Sequence, residues 1–565
     1  MKPFAPDDRK TPTNGSEMRQ TTTPARKLIF PSRPPFMDDR RGPRPGVNLG
    51  AALALVLLLG GCAVADNSHS NFQPDRAERV FATGYANIQD KYIDPVNIAD
   101  IAFEGIENLD DIDPNLQITK SQNIVHLANG DAPGADIAMP EGRDPHSWAR
   151  FTTRTIVAAR NDSPALKAAD SETIYKTVFS GALLPLDRHS RYVGFRSARN
   201  YRAQREGFGG IGVRLDFDGD LPEIVAVLPD TPAKRSPLRS GDIITHVDDR
   251  SLIGLGRHNI IWRLRGLQGT TVRLRAIRES SDTPIVVTLR RSLIFNRTVE
   301  YERRGSMAVI RVTGFNQRTS RDLEHVVVGL PWNEDPPING IVLDLRNNPG
   351  GLLDQAVAVA DAFLRKGRIV STRGRHPESI QRFDATGRDL ANGMPMVVLV
   401  NGRSASAAEI VAAALQDRGR AVVVGSNSYG KGTVQNITRL PNDGELILTW
   451  SRFHAPSGYA LDALGVLPNI CTATVAASDN PDLHNRVLAA IRQSANLLAK
   501  WRKLTDVDES RRSRLRENCP KRTEKPEIDL KIAQEILADR RLYARALGMS
   551  APLMAKKKRS TAYTN

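Results

Sequence analysis

Four runs, "MAVIRVTGF", "GIVLDLRNN", "MPMVVLVN" and "RAVVVGS", constrain this chain more than any other feature of its 565 residues. Each is dominated by aliphatic side chains and lacks the apolar–polar alternation of a half-exposed strand, so each reads as a strand buried on both faces. Stretches of helical spacing lie between them. Residues 298–475 are therefore expected to form an α/β unit, a sheet with helices packed on it. Hydrophobic residues are 40% of the chain and charged residues 25%, an ordinary globular balance. The length predicts three or four domains.

The flanking segments differ in pattern. Residues 77–110 read as helix, and a second helical stretch runs from 148 to 184, ending at "PLDRHSRYVGF". Between them, 111–147 is mixed, with "APGAD" and "MPEGRDP" as breakers. Together, 77–204 is expected to be a helical N-terminal domain. Residues 205–292 alternate short β-like runs with turns, the mark of a small β-rich module. The final region, 476–565, reads as helical and basic with no cluster that suggests a site.

The net charge is +16 and the pI about 9.9, but the charge is dispersed. The only dense basic run, "KKKR" at 556–559, reads as a solvated tail, so nucleic acid is not expected as a partner. Three cysteines occur, Cys62, Cys471 and Cys519, with no zinc-type spacing; no metal or other cofactor is expected. Cys62 closes "GVNLGAALALVLLLGGC", an apolar run shorter than the roughly 20 residues of a spanning helix. The run resembles a bacterial lipoprotein signal with Leu59-Gly60-Gly61-Cys62 as its processing box. That implies a leader over 1–62, lipidation at Cys62, a linker over 63–76, and a place on the periplasmic side of the cell envelope. Ala63 and Val64 favour the outer over the inner membrane, because neither is an aspartate. An uncleaved anchor is the competing reading. Met37, just ahead of Arg40, Arg41 and Arg44, makes a better start for such a leader than Met1. In an oxidising compartment Cys471 and Cys519 could pair, although spacing alone does not bring them together.

The β-rich module opens with "REGFGGIGVRLDF". Its glycines let successive N–H groups turn toward one point, a cradle for a carboxylate beside a strand edge that can receive an extended peptide. With the downstream "SGDIITHVDD" and "LRGLQGTTVRL", the segment resembles the PDZ domains of processing proteases. The resemblance implies that Phe208, Gly209, Gly210 and Ile211 face a bound peptide terminus, and it leaves Arg265 as a candidate coupling residue.

The chemistry concentrates in "NGRSASAAEIVAAALQDRGRAVVVGSNSYGKGTVQ", residues 401–435. Ser404 and Ser406 stand between a strand and an Ala-rich helix, where free N–H groups and the positive helix end favour a developing oxyanion. Plain N-capping would also select serine there. The second half holds Lys431 between two glycines beside apolar strands. A lysine desolvated in that way has a lowered pKa and can accept a serine proton.

Taken with "LDLRNNPGGLLDQAV", "RFHAPSGYALDALGVLPNI" and "LDRHSRYVGF", this combination resembles the carboxyl-terminal processing peptidases, the S41 serine proteases, over residues 77–475. The resemblance implies a crotonase-like core, self-association, and protein substrates with accessible C-terminal tails. It puts the nucleophile at Ser406, with the general base Lys431 twenty-five positions later and Gln435 orienting the amine. Ser404 becomes a supporting serine. The oxyanion donors become the N–H of Ala407 and that of Gly350 or Gly351, with Gly351 preferred. Ala408 stands where many relatives have serine, at a position without a catalytic role. Asp344 and Arg346 read as braces for the "NNPGG" turn, and Glu409 as a partner of the helix dipole. His454 is the alternative base. The competing functions are an inactive PDZ-type scaffold and a binder of anionic surfaces.

Overall fold

The computed structural model describes residues 72–130, 134–332, 334–476, 481–504, 509–524 and 527–548. The apolar run ending at Cys62 and the basic run 556–559 lie outside the described residues.

The four aliphatic runs become four neighbouring parallel strands, Met307–Val312, Gly340–Asp344, Met396–Val400 and Val422–Gly425. Val299–Arg304 adds an antiparallel strand at one edge, and Ile470–Cys471 a parallel one at the other. Both faces are covered, as continuous apolar strands require. Ala308, Ile310, Val312, Val398 and Val423 meet helices Thr319–Val328, Leu353–Asp361 and Ala407–Asp417. Met307, Val309, Val342, Val397 and Val424 face the other way, onto helices Leu483–Trp501 and Glu527–Ala538. The charged C-terminal region thus supplies one whole wall of the sheet, which its composition did not suggest.

A second, antiparallel sheet runs Gln381–Asp384, Arg368–Arg373, Glu445–His454, Thr433–Arg439, with Arg191–Val193 also paired to Glu445–His454. The N-terminal region packs its helices around Phe81, Tyr85, Tyr175 and Phe179. The helix read over 77–110 is two helices, Pro74–Lys91 and Ile98–Glu107, because Pro95 interrupts it and Asn97 starts a new one by accepting from the Ala99 N–H. Pro164 and the Asp170 cap divide the second stretch in the same way, into Pro145–Asp162, Pro164–Ala168 and Ser171–Leu183. The mixed stretch 111–147 contains a three-stranded antiparallel sheet, Leu116–Ser121, Ile124–Asn129 and Ala135–Ala138. Its first hairpin turns at Gln122, whose φ is 52°, and it buries Leu116, Ile118, Val125 and Leu127 at alternate positions.

The β-rich module's sheet runs Ser281–Arg290, Thr271–Arg278, Ile243–Val247, Glu223–Val227, Val213–Asp216, with Arg250–Ser251 also paired to Ile243–Val247, and it carries one α-helix, Arg257–Leu264. Its ends meet. Phe208–Gly210 pairs antiparallel with Ser292–Ile294, so the chain enters and leaves the module through one two-stranded neck.

Candidate active site

The central strand Met396–Val400 ends in a tight turn before helix Ala407–Asp417. The two serines of that turn have different fates. Ser404 is fully buried; its hydroxyl donates to the Leu345 carbonyl at 2.8 Å and accepts from the Asn401 N–H at 2.9 Å. It joins the ends of two strands and is unavailable to a substrate. Ser406 is only partly buried and sits at φ 54°, an uncommon backbone conformation for a residue with a Cβ. Strain of this kind is typical of residues held for chemistry.

The turn 347–351 closes against Ser406. A methyl group on Gly350 would lie 2.9 Å from the Ser406 Cβ and 3.1 Å from the Ala407 nitrogen, so only glycine permits the approach. The two adjacent glycines are inequivalent. Gly350 spends its N–H on the Asn348 side-chain oxygen at 2.8 Å, and its carbonyl accepts from Phe315. Among the described residues no acceptor takes the N–H of Gly351 or of Ala407. Asp344 and Arg346, just ahead of this turn, are joined to each other and to the C-terminal region: the guanidinium makes two 2.9 Å bonds to Asp344 and one of 3.0 Å to Asp529.

Lys431 reaches the same place on the loop 426–432, between strands Val422–Gly425 and Thr433–Arg439. The link is Glu409. One of its carboxylate oxygens accepts both the Ser406 N–H, at 2.7 Å, and the Lys431 N–H, at 2.9 Å. The other accepts the Gly430 N–H at 2.6 Å and the Ser428 hydroxyl. Burial pushes the Glu409 carboxyl up, and these four donors hold it back. The serine–x–x–glutamate spacing was visible in the sequence as a capping signal. Its reading as a dipole partner missed the larger part, a single carboxylate fixing both halves of the site.

Burial is the main cause that lowers the Lys431 pKa; Arg191 adds to it, and the Glu409 and Asp187 carboxylates oppose it. Asp187, His189 and Arg191 all come from "LDRHSRYVGF". Asp187 is held by the Ser190 hydroxyl at 2.8 Å, the His189 N–H at 2.7 Å and the Thr449 hydroxyl at 2.9 Å. Burial, and then the Lys431 charge, depress His189. Gln435 directs its amide nitrogen to the hydroxyls of Thr433, at 2.8 Å, and Thr449, at 3.3 Å. His454, the alternative base, pairs across its strand with Ser371 and bridges to Ala460.

In the β-rich module, Phe208, Gly209 and Gly210 lie in the neck strand and Ile211 enters the module's core. The Arg265 guanidinium stacks 4.0 Å from the Phe208 ring centre, and Gly266 donates to the Gly209 carbonyl at 3.0 Å. Cys62 lies outside the described residues. Cys471 and Cys519 form a disulfide with Cα atoms 5.9 Å apart.

Residues 306–472 match the family model described as Peptidase family S41. The chain is 39% identical to a carboxy-terminal-processing protease of Bartonella bacilliformis, over 53% of this chain and 70% of that protein. Among solved structures it resembles a photosystem II D1 C-terminal processing protease, at 20% identity and a TM-score of 0.37, covering 74% of this chain and 96% of that one. It also resembles the PDZ domain of a carboxy-terminal protease from Vibrio cholerae solved with a peptide, at 27% identity and a TM-score of 0.15, covering 16% of this chain and 97% of that one.

Proposed function

Given that the chain belongs to the carboxy-terminal-processing proteases of peptidase family S41, we propose that it is an endopeptidase working through a Ser406–Lys431 dyad. One observation carries the reading: a single buried Glu409 oxygen accepts the backbone N–H of both residues. In its deprotonated form, which desolvation favours, the Lys431 amine takes the Ser406 hydroxyl proton as the oxygen attacks a peptide carbonyl. The N–H groups of Ala407 and Gly351 receive the oxyanion, since neither has an acceptor among the described residues. The protonated amine then gives its proton to the departing peptide nitrogen, leaving an acyl-serine that water hydrolyses by the same steps. Gln435 has its amide nitrogen engaged, so its side-chain oxygen is left to accept from the lysine ammonium.

Capture of the substrate falls to the β-rich module, read as a PDZ domain inserted ahead of a crotonase-like core. Val213–Asp216 is the outermost strand of its sheet, and a peptide tail adds beside such an edge. The segment ending at Cys62 fits export and lipid anchoring on the periplasmic face.

The test is cleavage of a loosely folded protein by wild type, Ser406→Ala and Lys431→Ala. Each variant is expected to lose about 10³-fold or more in kcat. Wild-type rate should rise with pH through a lysine pKa lying below the free value of about 10.4. Retention of full activity by either variant removes the dyad. Binding of C-terminal peptides without any cleavage by wild type favours the scaffold.

A further inference from the structure

We propose that Arg516, from a helix beyond the family match, is a positioning residue for this reaction: it clamps the loop that carries Lys431. The inference rests on the Ser406–Lys431 reading. Arg516 ends helix Glu509–Arg516, forty-four residues past the last matched position. One of its terminal nitrogens donates to the Ser428 carbonyl at 2.6 Å and the Tyr429 carbonyl at 3.3 Å. The other donates to the carbonyls of Ala463, at 3.3 Å, and Leu464. One planar guanidinium therefore ties the lysine loop to the loop 461–465.

Both loops are shaped to admit it. Gly430 and Gly465 have φ of 88° and 75°, and a methyl group on either would come within 2.7 and 3.1 Å of the guanidinium. The contact is reciprocal, since the Asn427 side chain donates to the Arg516 carbonyl at 2.9 Å. The next residues continue the clamp. Lys521 donates to the Tyr429 carbonyl at 2.8 Å, and Arg522 receives the Gly402 N–H at 2.6 Å and donates its own to the Ser426 hydroxyl at 3.1 Å. Cys519 fastens the segment to the central sheet through Cys471.

The route to the reacting atoms is short. Ser428 gives its carbonyl to Arg516 and its hydroxyl to Glu409, and Glu409 holds Ser406 and Lys431. Ser428 and Leu464 are both fully buried, so losing Arg516 strands their carbonyls without partners. The loop would then open toward water, and Lys431 would lose both its alignment and its desolvation. Lysine cannot replace the arginine well, because a single ammonium does not span carbonyls on two loops.

The experiment uses the full chain and an unstructured fluorogenic peptide, comparing wild type, Arg516→Ala, Arg516→Lys, Ser406→Ala and Lys431→Ala. For R516A we expect kcat to fall about 100-fold with KM within about two-fold, the mark of lost alignment. Its rising limb of rate against pH should move to higher pH, because a hydrated lysine holds its proton longer. Added guanidinium ion at millimolar concentration should recover part of the R516A rate and leave wild type unchanged. R516K should move the limb the same way by less. The inference is overturned if R516A keeps the wild-type kcat and limb while K431A is inactive. Loss of rate with an unmoved limb and no guanidinium rescue also overturns it, since that describes folding alone. Should R516A fail to unfold cooperatively, R516K decides, and a wild-type limb and rate in that variant sinks the idea. Activity retained by S406A or K431A defeats the dyad itself, a result separable from any behaviour of Arg516.

Discussion

The serine half and the lysine half of the site are built on different principles. Ser406 is held largely by its neighbours in sequence, the strand Met396–Val400 before it, the helix Ala407–Asp417 after it and Glu409 three residues on, with the turn 347–351 closed against it. Lys431 rides on a loop whose contacts come from afar, from Glu409, the 461–465 segment, Arg516 and Lys521. Local construction fixes a serine from a short motif. Remote construction lets the rest of the fold set how dry and how well aligned the lysine is. The lysine half should therefore be the one that distant changes can damage.

The largest expected effect strikes the segment that clamps that half. The disulfide closes a separation of 48 residues, and its loss through Cys471→Ala with Cys519→Ala should lower stability by about 4 kcal/mol on the chain-entropy estimate. Thermal unfolding of the oxidised, reduced and mutated protein measures it; identical midpoints would mean that the C-terminal segment is held without the bond. Next comes Gly432→Ala. Its methyl group would meet the Asp462 nitrogen at 1.8 Å and the Leu461 carbonyl carbon at 2.4 Å, both backbone. The loop must shift, and kcat should drop about 100-fold, while peptide binding by the β-rich module stays at the wild-type level. Equal losses in both would show that the loop and the module are not independent.

Glu409→Gln attacks the shared element. An amide has one acceptor oxygen for four donors, so one pair loses its partner, worth about 2 kcal/mol of stability. Rate and stability should fall together, and a variant as stable as wild type would show that water takes the place of the second oxygen. The smallest effect sharpens the contrast from the serine side. Ala412→Gly, in the middle of the buried helix, should cost about 1 kcal/mol in denaturant unfolding and leave kcat unchanged. A large loss of kcat there would show that the serine's alignment is as easily disturbed from within its own helix as the lysine's is from afar.

The motif that names Ser406 and Lys431 is readable because each residue's local pattern is strong: a buried strand, a serine, an alanine helix, then a lysine between glycines. The strands of the central sheet are readable for the same reason, as unbroken aliphatic runs. Breaks inside the N-terminal helices at Pro95 and Pro164 were readable in principle, since proline lacks the N–H that a helix needs. The role of Arg516 was not. It lies in "ESRRSRLR", where every arginine has the same local surroundings, and only its four carbonyl partners distinguish it. The choice between Gly350 and Gly351 was equally closed to sequence, because it turns on which N–H the Asn348 side chain has already taken.

By itself, then, the sequence determined the parts that depend on nearest neighbours along the chain. These are the aliphatic strands, the helix behind Ser406, the β-rich module and the spacing of serine to lysine. The tertiary structure decided which serine is free, which glycine N–H is open, and what dries and holds the lysine. Burial and hydrogen-bond partnership are properties of the surroundings, and here those surroundings include residues as far along the chain as the 262 positions between Asp187 and Thr449.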